Sequence, residues 1–335
     1  MYSVAAVMTA FQGYNASSSL PEIAHKGWLH IGRRLKSQTD ADFHLYLMPD
    51  FHKAPPAVLS FAATDPSGGA GIQADILTLA SMGCHPLSVI TAITVQDTSG
   101  VEDILPVDAD WVSDQARSIL EDIPVAAFKI GVLGSVENVS AIAEIVADYP
   151  EIPLILDPVL APTRGDEFAN EDTLSAIREL LIPQCTVITP NTPELRRLVL
   201  EDDEDEGGIE KLAMRLIEMG AEFVLVTGTH ESTPDVINTL FCEKGLLRSD
   251  NWHRLPGSFH GSGCTLASAV AATIARGMDI SEAVREAQDY TWQTLKFGFR
   301  PGMGQFIPDR LFWARDDSDE TDTGPLESAA RGIRH

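Results

Sequence analysis

The run VLSFAATDPSGGAGIQADILTLASMG (58–83) holds three units in order: a strand, VLSFAA, a Gly-rich turn, and a helical pattern, GIQADILTLASMG. The strand is apolar throughout rather than alternating, as expected where both faces are covered. The same order recurs downstream. LSVITAITV (87–95), AAFKI (126–130), PLILD (153–157), TVITP (186–190) and FVLVT (223–227) are short apolar runs bounded by Gly, Pro or Asp. Helical patterns such as DWVSDQARSILED and SVENVSAIAEIVADY lie between them. Strand–helix alternation implies right-handed βαβ units on a mostly parallel sheet with helices on both faces, an α/β/α sandwich. DVINTLFCEKGLLRSDNWHRL (235–255) reads instead as an antiparallel hairpin turning at Glu243-Lys244-Gly245. Two long helices, from about Gly263 and from Ser281, close the fold.

Three segments follow from this grammar. Residues 1–55 mix YNASSS, GRRLKSQ and KAPPA without sustained periodicity and read as an irregular extension. Residues 56–314 carry the strand–helix pattern, and 315–335 form a polar tail expected to be disordered. EDDEDEG (201–207) reads as a solvated surface loop.

The 335 residues suffice for a large core, with hydrophobic residues at 44% and charged residues at 22%. A net charge of −25 argues against non-specific nucleic-acid binding and against an anionic membrane surface. Local anion binding through backbone N–H groups is compatible with it. Cys84, Cys185, Cys242 and Cys264 form no CxxC pair and match no zinc spacing, so four free thiols in a reducing cytoplasm are expected. No apolar run approaches the roughly 20 residues that span a bilayer. MYSVAAVMTAF lacks a basic n-region and makes a poor signal peptide.

Several turns carry possible chemistry. The glycines of SFAATDPSGGAGIQAD (60–75), Gly68, Gly69 and Gly71, fit neither a Walker A loop nor GxGxxG; they make a ligand-facing turn or a tight structural one. In HGSGCTLASAVAATIARG (260–277), Gly261 and Gly263 bracket a turn opening an Ala-rich helix. N–H groups from Gly261 to Cys264, Ser262 included, would converge as an anion hole backed by the helix dipole. That dipole is expected to lower the Cys264 thiol pKa. Taken alone, the motif reads more readily as a helix start packed in the core.

In TPNTPEL (189–195), Asn191 and Glu194 share a face of the first helical turn. They form a capping box or organise a hydrated Mg²⁺, and the cap is the simpler reading. Asp157 ends a strand where open α/β sheets place ligands, and either meets a metal–phosphate complex or caps a turn. Lys129 ends another strand and meets phosphate or snorkels. Gln96 and Asp97 could read a heterocycle edge or simply open the turn DTSG. His260 could meet ligand phosphate, but on spacing alone it reads as a loop residue.

The succession TDPSGGAGIQAD, ITAITVQDTSGV, KIGVLGS, LDPV, ITPNTPEL and HGSGCTLASA resembles the hydroxymethylpyrimidine/phosphomethylpyrimidine kinases of thiamine biosynthesis, members of the ribokinase-like superfamily. The likeness runs from about Val58 to about Trp313 and includes the closing GMGQFIPDRLFW. It implies transfer of phosphate from ATP, with Mg²⁺, to 4-amino-5-hydroxymethyl-2-methylpyrimidine and then to its monophosphate. It places Gln96, Asp75 and the backbone of 63–70, with Ala63 and Gly69, against the pyrimidine. Gly261, Ser262, Gly263 and Cys264 become the anion hole, with Cys264 as candidate base. Asn191, Glu194, Asp157, Lys129 and Thr227 serve the ATP side, Glu194 and Asp157 reaching the metal directly or through water. A cytoplasmic homodimer acting on small molecules is implied.

The sequence departs from that family pattern at four places. Ala63 stands for a usual Gly, Thr227 for a common Lys, and Thr163-Arg164 for a Lys/Thr-Ser pair, so Arg164 becomes a candidate to supply charge. Residues before the first family strand lie outside the pattern, and Met48 is a candidate translation start. Two rival readings are a pyridoxal/pyridoxine kinase, and a weakly catalytic pyrimidine-binding regulatory protein motivated by Thr227 and the acidic tail.

Overall fold

A computed structural model describes residues 54–160, 168–199, 207–229, 231 and 233–315. Residues 1–53, Arg164, the acidic stretch 201–206 and the tail from 316 lie outside the described residues, and the expectations placed on them rest there.

Eight strands form one sheet: β1 (Ala57–Ala62), β2 (His85–Ile90), β5 (Val125–Ile130), β6 (Leu154–Leu156), β7 (Val187–Ile188), β8 (Phe223–Val226), β9 (Asp235–Cys242) and β10 (Gly245–His253). Their order is β10-β9-β8-β7-β6-β5-β1-β2. Pairing is parallel from β2 to β8, and β9 and β10 close one side as the expected antiparallel hairpin. Alternate side chains along each strand go to opposite layers, which explains the uniform apolar runs. Val58, Ala127, Ile155, Val187, Leu225 and Leu240 pack under α1 (Gly71–Ser81), α7 (Ser262–Ala275) and α8 (Ile280–Lys296). Leu59, Phe61, Phe128, Ile130, Leu156 and Ile188 fill the other layer. That layer holds α2 (Ala109–Leu120), α3 (Val136–Ala147), α4 (Glu171–Ala176), α5 (Thr192–Val199) and α6 (Ile209–Glu218).

One apolar run departs from expectation. LSVITAITV is not a single strand: β2 ends at Ile90, and β3 (Ala92–Gln96) leaves the sheet to pair with β4 (Val101–Pro106) in a separate hairpin. The break falls at the buried Thr91, whose hydroxyl donates to the Val132 carbonyl at 2.5 Å. Beyond it, burial alternates along β3, as on a ribbon with one face outward. The hairpin end is tied back to the turn after β1, because Thr94 Oγ1 donates to the Thr64 carbonyl at 2.7 Å. No helix among the described residues is long and apolar enough to cross a membrane.

Candidate active site

The strand ends face a cleft of about 200 Å³. Ala62 and Ala63 reach it from β1, Lys129 from β5, Asp157 from beyond β6, Asn191 and Glu194 from beyond β7, and the start of α7 closes it. This is where parallel sheets of this kind hold ligands. Gly261 caps α7 in the left-handed region, φ +83°. A Cβ there would also stand 1.8 Å from the Gly69 carbonyl oxygen, so conformation and space both require glycine. The first N–H groups of α7 have no intrahelical partners, and Ser262, Gly263 and Cys264, which carry them, line the cleft.

Beneath this turn lies a buried charge cluster. Lys129 and Asp75 are both fully buried, with Nζ 2.9 and 3.0 Å from the two carboxylate oxygens. Ser268 of α7 donates to the same carboxylate at 2.7 Å. Burial opposes the Lys129 charge, but Asp75, Cys264 and Asp157 around it hold its pKa above the ordinary lysine value. Lys129 therefore forms the charged floor of the cleft rather than snorkelling. Asp75, expected from the family likeness to face the pyrimidine, is fully buried outside the cleft lining and serves as Lys129's counter-ion. Gly69 is likewise packed under the His260 ring and absent from the cleft lining, while Ala63 and Gln96 line it. Gln96 Nε2 donates to the Thr64 carbonyl at 3.4 Å.

The Cys264 thiol departs from expectation. Burial pushes its pKa up to about 12; Lys129 opposes the rise, and Asp157 and Asp75 add to it. Burial, assisted by the two carboxylates, thus keeps the thiol neutral rather than primed as thiolate. Asp157 is close enough to be perturbed by it.

Asn191 and Glu194 form the reciprocal cap: Glu194 N–H donates to Asn191 Oδ1 and Asn191 N–H to Glu194 Oε2, each at 2.9 Å. They also line the cleft, so capping and ligand-facing positions coincide. Burial and the neighbouring Asp157 push Glu194 up to about 8. Asp157 is pushed up to about 6, first by burial, with Lys129 opposing and Asp75 assisting. Its Oδ2 is buried without a partner. Two carboxylates held protonation-prone, one with an orphaned oxygen, fit a hard divalent cation that keeps most of its waters. Among the described residues no cluster of three or more His, Cys, Asp or Glu could hold a metal alone.

A second chamber of about 420 Å³ opens beside the first and shares Asn191, Thr227, Ser262 and Gly263 with it. Its wall includes Trp252, Trp292, Asn238 and Gln288. Gln288 Oε1 accepts from Asn238 at 3.0 Å and from Trp252 Nε1 at 2.9 Å, so this wall is pre-ordered.

Two site-forming residues gain partners that the sequence did not indicate. His260 lies in the turn before α7, as a loop residue, and lines the cleft, with its Nε2 2.8 Å from Asp65 Oδ2. Asp65 also accepts from the Ser67 and Ala70 N–H groups, shaping the turn after β1. Arg310 is buried beneath both turns. Its only sequence signal is a basic residue inside the largely apolar close QFIPDRLFW.

The family model of phosphomethylpyrimidine kinase matches residues 65–309. The chain belongs to the phosphomethylpyrimidine kinase family. A hydroxymethylpyrimidine/phosphomethylpyrimidine kinase of Streptomyces coelicolor is 38% identical over 255 residues, 75% of this chain and 92% of the relative. Among solved structures, the phosphomethylpyrimidine kinase of Clostridium difficile superposes with a TM-score of 0.62 at 30% identity, covering 72% of this chain and 99% of that one. Pyridoxal kinase of Bacillus subtilis, in an ADP complex, superposes with a TM-score of 0.70 at 26% identity, covering 78% of this chain and 100% of that one. The sandwich is thus the ribokinase-like one expected from the motifs. The phosphomethylpyrimidine kinase match spans the turn after β1, the β3–β4 hairpin and the start of α7, which are the elements that build the cleft.

Proposed function

We propose that this cleft transfers the γ-phosphoryl group of ATP to the hydroxymethyl group of 4-amino-5-hydroxymethyl-2-methylpyrimidine, and then to the resulting monophosphate, in thiamine biosynthesis. The supporting observation is the α7 N-terminus, which stands between two joined chambers and lines both. The first chamber, with Ala63, Thr94 and Gln96, takes the pyrimidine; the second, walled in part by Trp252 and Trp292, takes the nucleotide. Phosphoryl transfer needs little covalent help from the protein, so positioning and charge stabilisation do most of the work. N–H groups of Ser262, Gly263 and Cys264 hold the developing charge, with Lys129 beneath them. Asp157 and Glu194 would hold Mg²⁺, directly or through water, and the ion would supply charge neutralisation at the phosphates.

The neutral thiol changes the expected role of Cys264. Acting alone it is a poor base at pH 7. With Asp157 as its carboxylate neighbour, it can accept the substrate hydroxyl proton while passing its own to that carboxylate. The second step needs no such relay, because its phosphate nucleophile is already ionised. Thr227, in place of a lysine, leaves phosphate binding to backbone N–H groups and buried cations.

A pyridoxal kinase activity is the second reading, favoured by the higher superposition with the Bacillus subtilis enzyme. Mg²⁺-dependent ADP release, with the pyrimidine and pyridoxal offered side by side, separates the two. Two ADP per pyrimidine at completion is expected. Preference for pyridoxal moves the assignment, and ATP binding without turnover of either favours the regulatory reading. In the same assay, near-wild-type first-step turnover by Cys264→Ala would remove the relay.

A homodimer is proposed as well, supported by the outer face of the β3–β4 hairpin, where Ile93, Val95 and Leu105 are more than half exposed. A cytoplasmic site of action accords with ATP as donor and with four free cysteines.

A further inference from the structure

Arg310 lies one residue beyond the family match, is 3% exposed, and is absent from the lining of either chamber. A buried guanidinium ordinarily pairs with a carboxylate. Among the described residues none forms an ion pair with this one. Its hydrogen bonds go instead to the Gly68 carbonyl at 3.3 Å, to the Gly69 carbonyl at 2.5 Å, and from Nε to Thr265 Oγ1 at 3.1 Å. Its own carbonyl is held by the Tyr290 hydroxyl at 2.9 Å.

Those three acceptors belong to the two turns that make the site. The Gly69 oxygen is the atom against which Gly261 packs, so holding it fixes the spacing of the turn after β1 and the start of α7. Thr265 Oγ1, which accepts from Arg310, itself donates to the Gly261 carbonyl at 2.8 Å, and the Thr265 N–H reaches the same oxygen at 3.0 Å. The Gly261 C=O and the Ser262 N–H share one planar peptide and point in opposite directions. Drawing that carbonyl inward aims the Ser262 N–H at the cleft. A hydrogen-bond chain ending on the carbonyl also polarises the N–H and makes it a better donor.

We propose that Arg310 is a positioning residue for phosphoryl transfer: through Thr265 and Gly261 it aims the Ser262 N–H, and through Gly69 it sets the gap between the pyrimidine-side and phosphate-side turns. This rests on the kinase reading above. It adds a determinant remote in sequence that touches neither substrate.

The test compares Arg310→Met, Arg310→Lys and Thr265→Val with the full wild-type chain, using whichever alcohol the wild type turns over faster. Met keeps the length and apolar stem of the side chain but leaves the Gly68, Gly69 and Thr265 acceptors without their donor, so the Met variant is expected to lose stability as well, and its kcat is read on the folded fraction. Its kcat is expected to fall on the order of a hundredfold, the scale of one lost oxyanion donor. KM for ATP should stay within about threefold, the signature of an interaction made only in the transition state. Arg310→Lys keeps the charge but loses the fork and should recover roughly tenfold of that loss. Thr265→Val should lose kcat in the same sense.

A folded Arg310→Met with lowered melting temperature and wild-type kcat would overturn the proposal. Should that variant not fold, wild-type kcat in both Arg310→Lys and Thr265→Val would do so. Silence of the wild type with both alcohols is a failure of the kinase reading alone. Inorganic pyrophosphate binding, measured by calorimetry, then carries the test: about tenfold weaker binding to the folded variants than to wild type is expected, and equal binding overturns the inference.

Discussion

Glu194 does two jobs whose electrostatics conflict. As the third residue of the α5 cap it accepts the Asn191 N–H, which favours the carboxylate. Burial beside Asp157 disfavours it more strongly, and its pKa rises from 4.5 to about 8. The folded state therefore holds this proton more tightly than the unfolded chain does. Between about pH 4.5 and 8 the native protein binds more protons, so linkage makes stability fall as pH rises through that window. The melting temperature of the metal-free protein should decline from pH 5 to pH 8. Glu194→Gln, which preserves the capping acceptor, should flatten that decline. Equal slopes in variant and wild type would show that Glu194 is already ionised in the apoprotein. Mg²⁺ binding displaces the same proton, so its stabilising effect should be larger at pH 8 than at pH 6.

Among the elements, the start of α7 was the most legible in sequence and the most constrained in space. HGSGC announced a Gly-x-Gly turn opening a helix, and local chemistry sufficed for that, because capping and left-handed geometry are written in adjacent residues. Its electrostatic setting was not legible. The dipole at the helix start predicts an acidified Cys264, yet burial by elements distant in sequence reverses the direction, with Asp157 and Asp75 adding to it. Asp75 and Lys129 lie 54 residues apart, and Arg310 reaches Gly69 across 241, distances over which one sequence carries no pairing signal. The split of 87–95 was hidden for a related reason. Thr91 looks like any β-branched strand residue until its hydroxyl partner at Val132 is known. Gly261→Ala tests the geometry directly. The new methyl meets left-handed backbone and the Gly69 oxygen together, so the turn must move. Turnover should fall by at least about a hundredfold, with ATP still bound from the second chamber. Turnover within tenfold of wild type would mean that the α7 N–H groups do not carry the transferred phosphoryl.

At the scale of the whole molecule, a chain of net charge −25 meets its own copies with long-range repulsion. Association then needs a contact whose gain is non-polar, and the β3–β4 hairpin offers one. Ile93 and Leu105 face each other across the ladder, and Val95 follows on the same side, all exposed while Ala92 and Thr94 turn inward. Cross-strand apolar pairs left in water on a two-stranded ribbon are costly unless covered. The hairpin also carries Gln96 to the cleft, so covering its outer face would steady the pyrimidine side of the site. Light scattering should therefore give about twice the 36.3 kDa chain mass at micromolar concentration. Leu105→Lys and Val95→Asp should each return the mass toward one chain and raise KM for the pyrimidine more than KM for ATP. Salt separates this contact from an ion-paired one. Screening weakens repulsion between acidic copies while leaving apolar burial intact, so dimerisation should tighten between low and physiological ionic strength. A wild-type monomer at all salt concentrations, or charge variants that remain dimeric, would place the contact elsewhere and leave the hairpin as a lid acting within one chain.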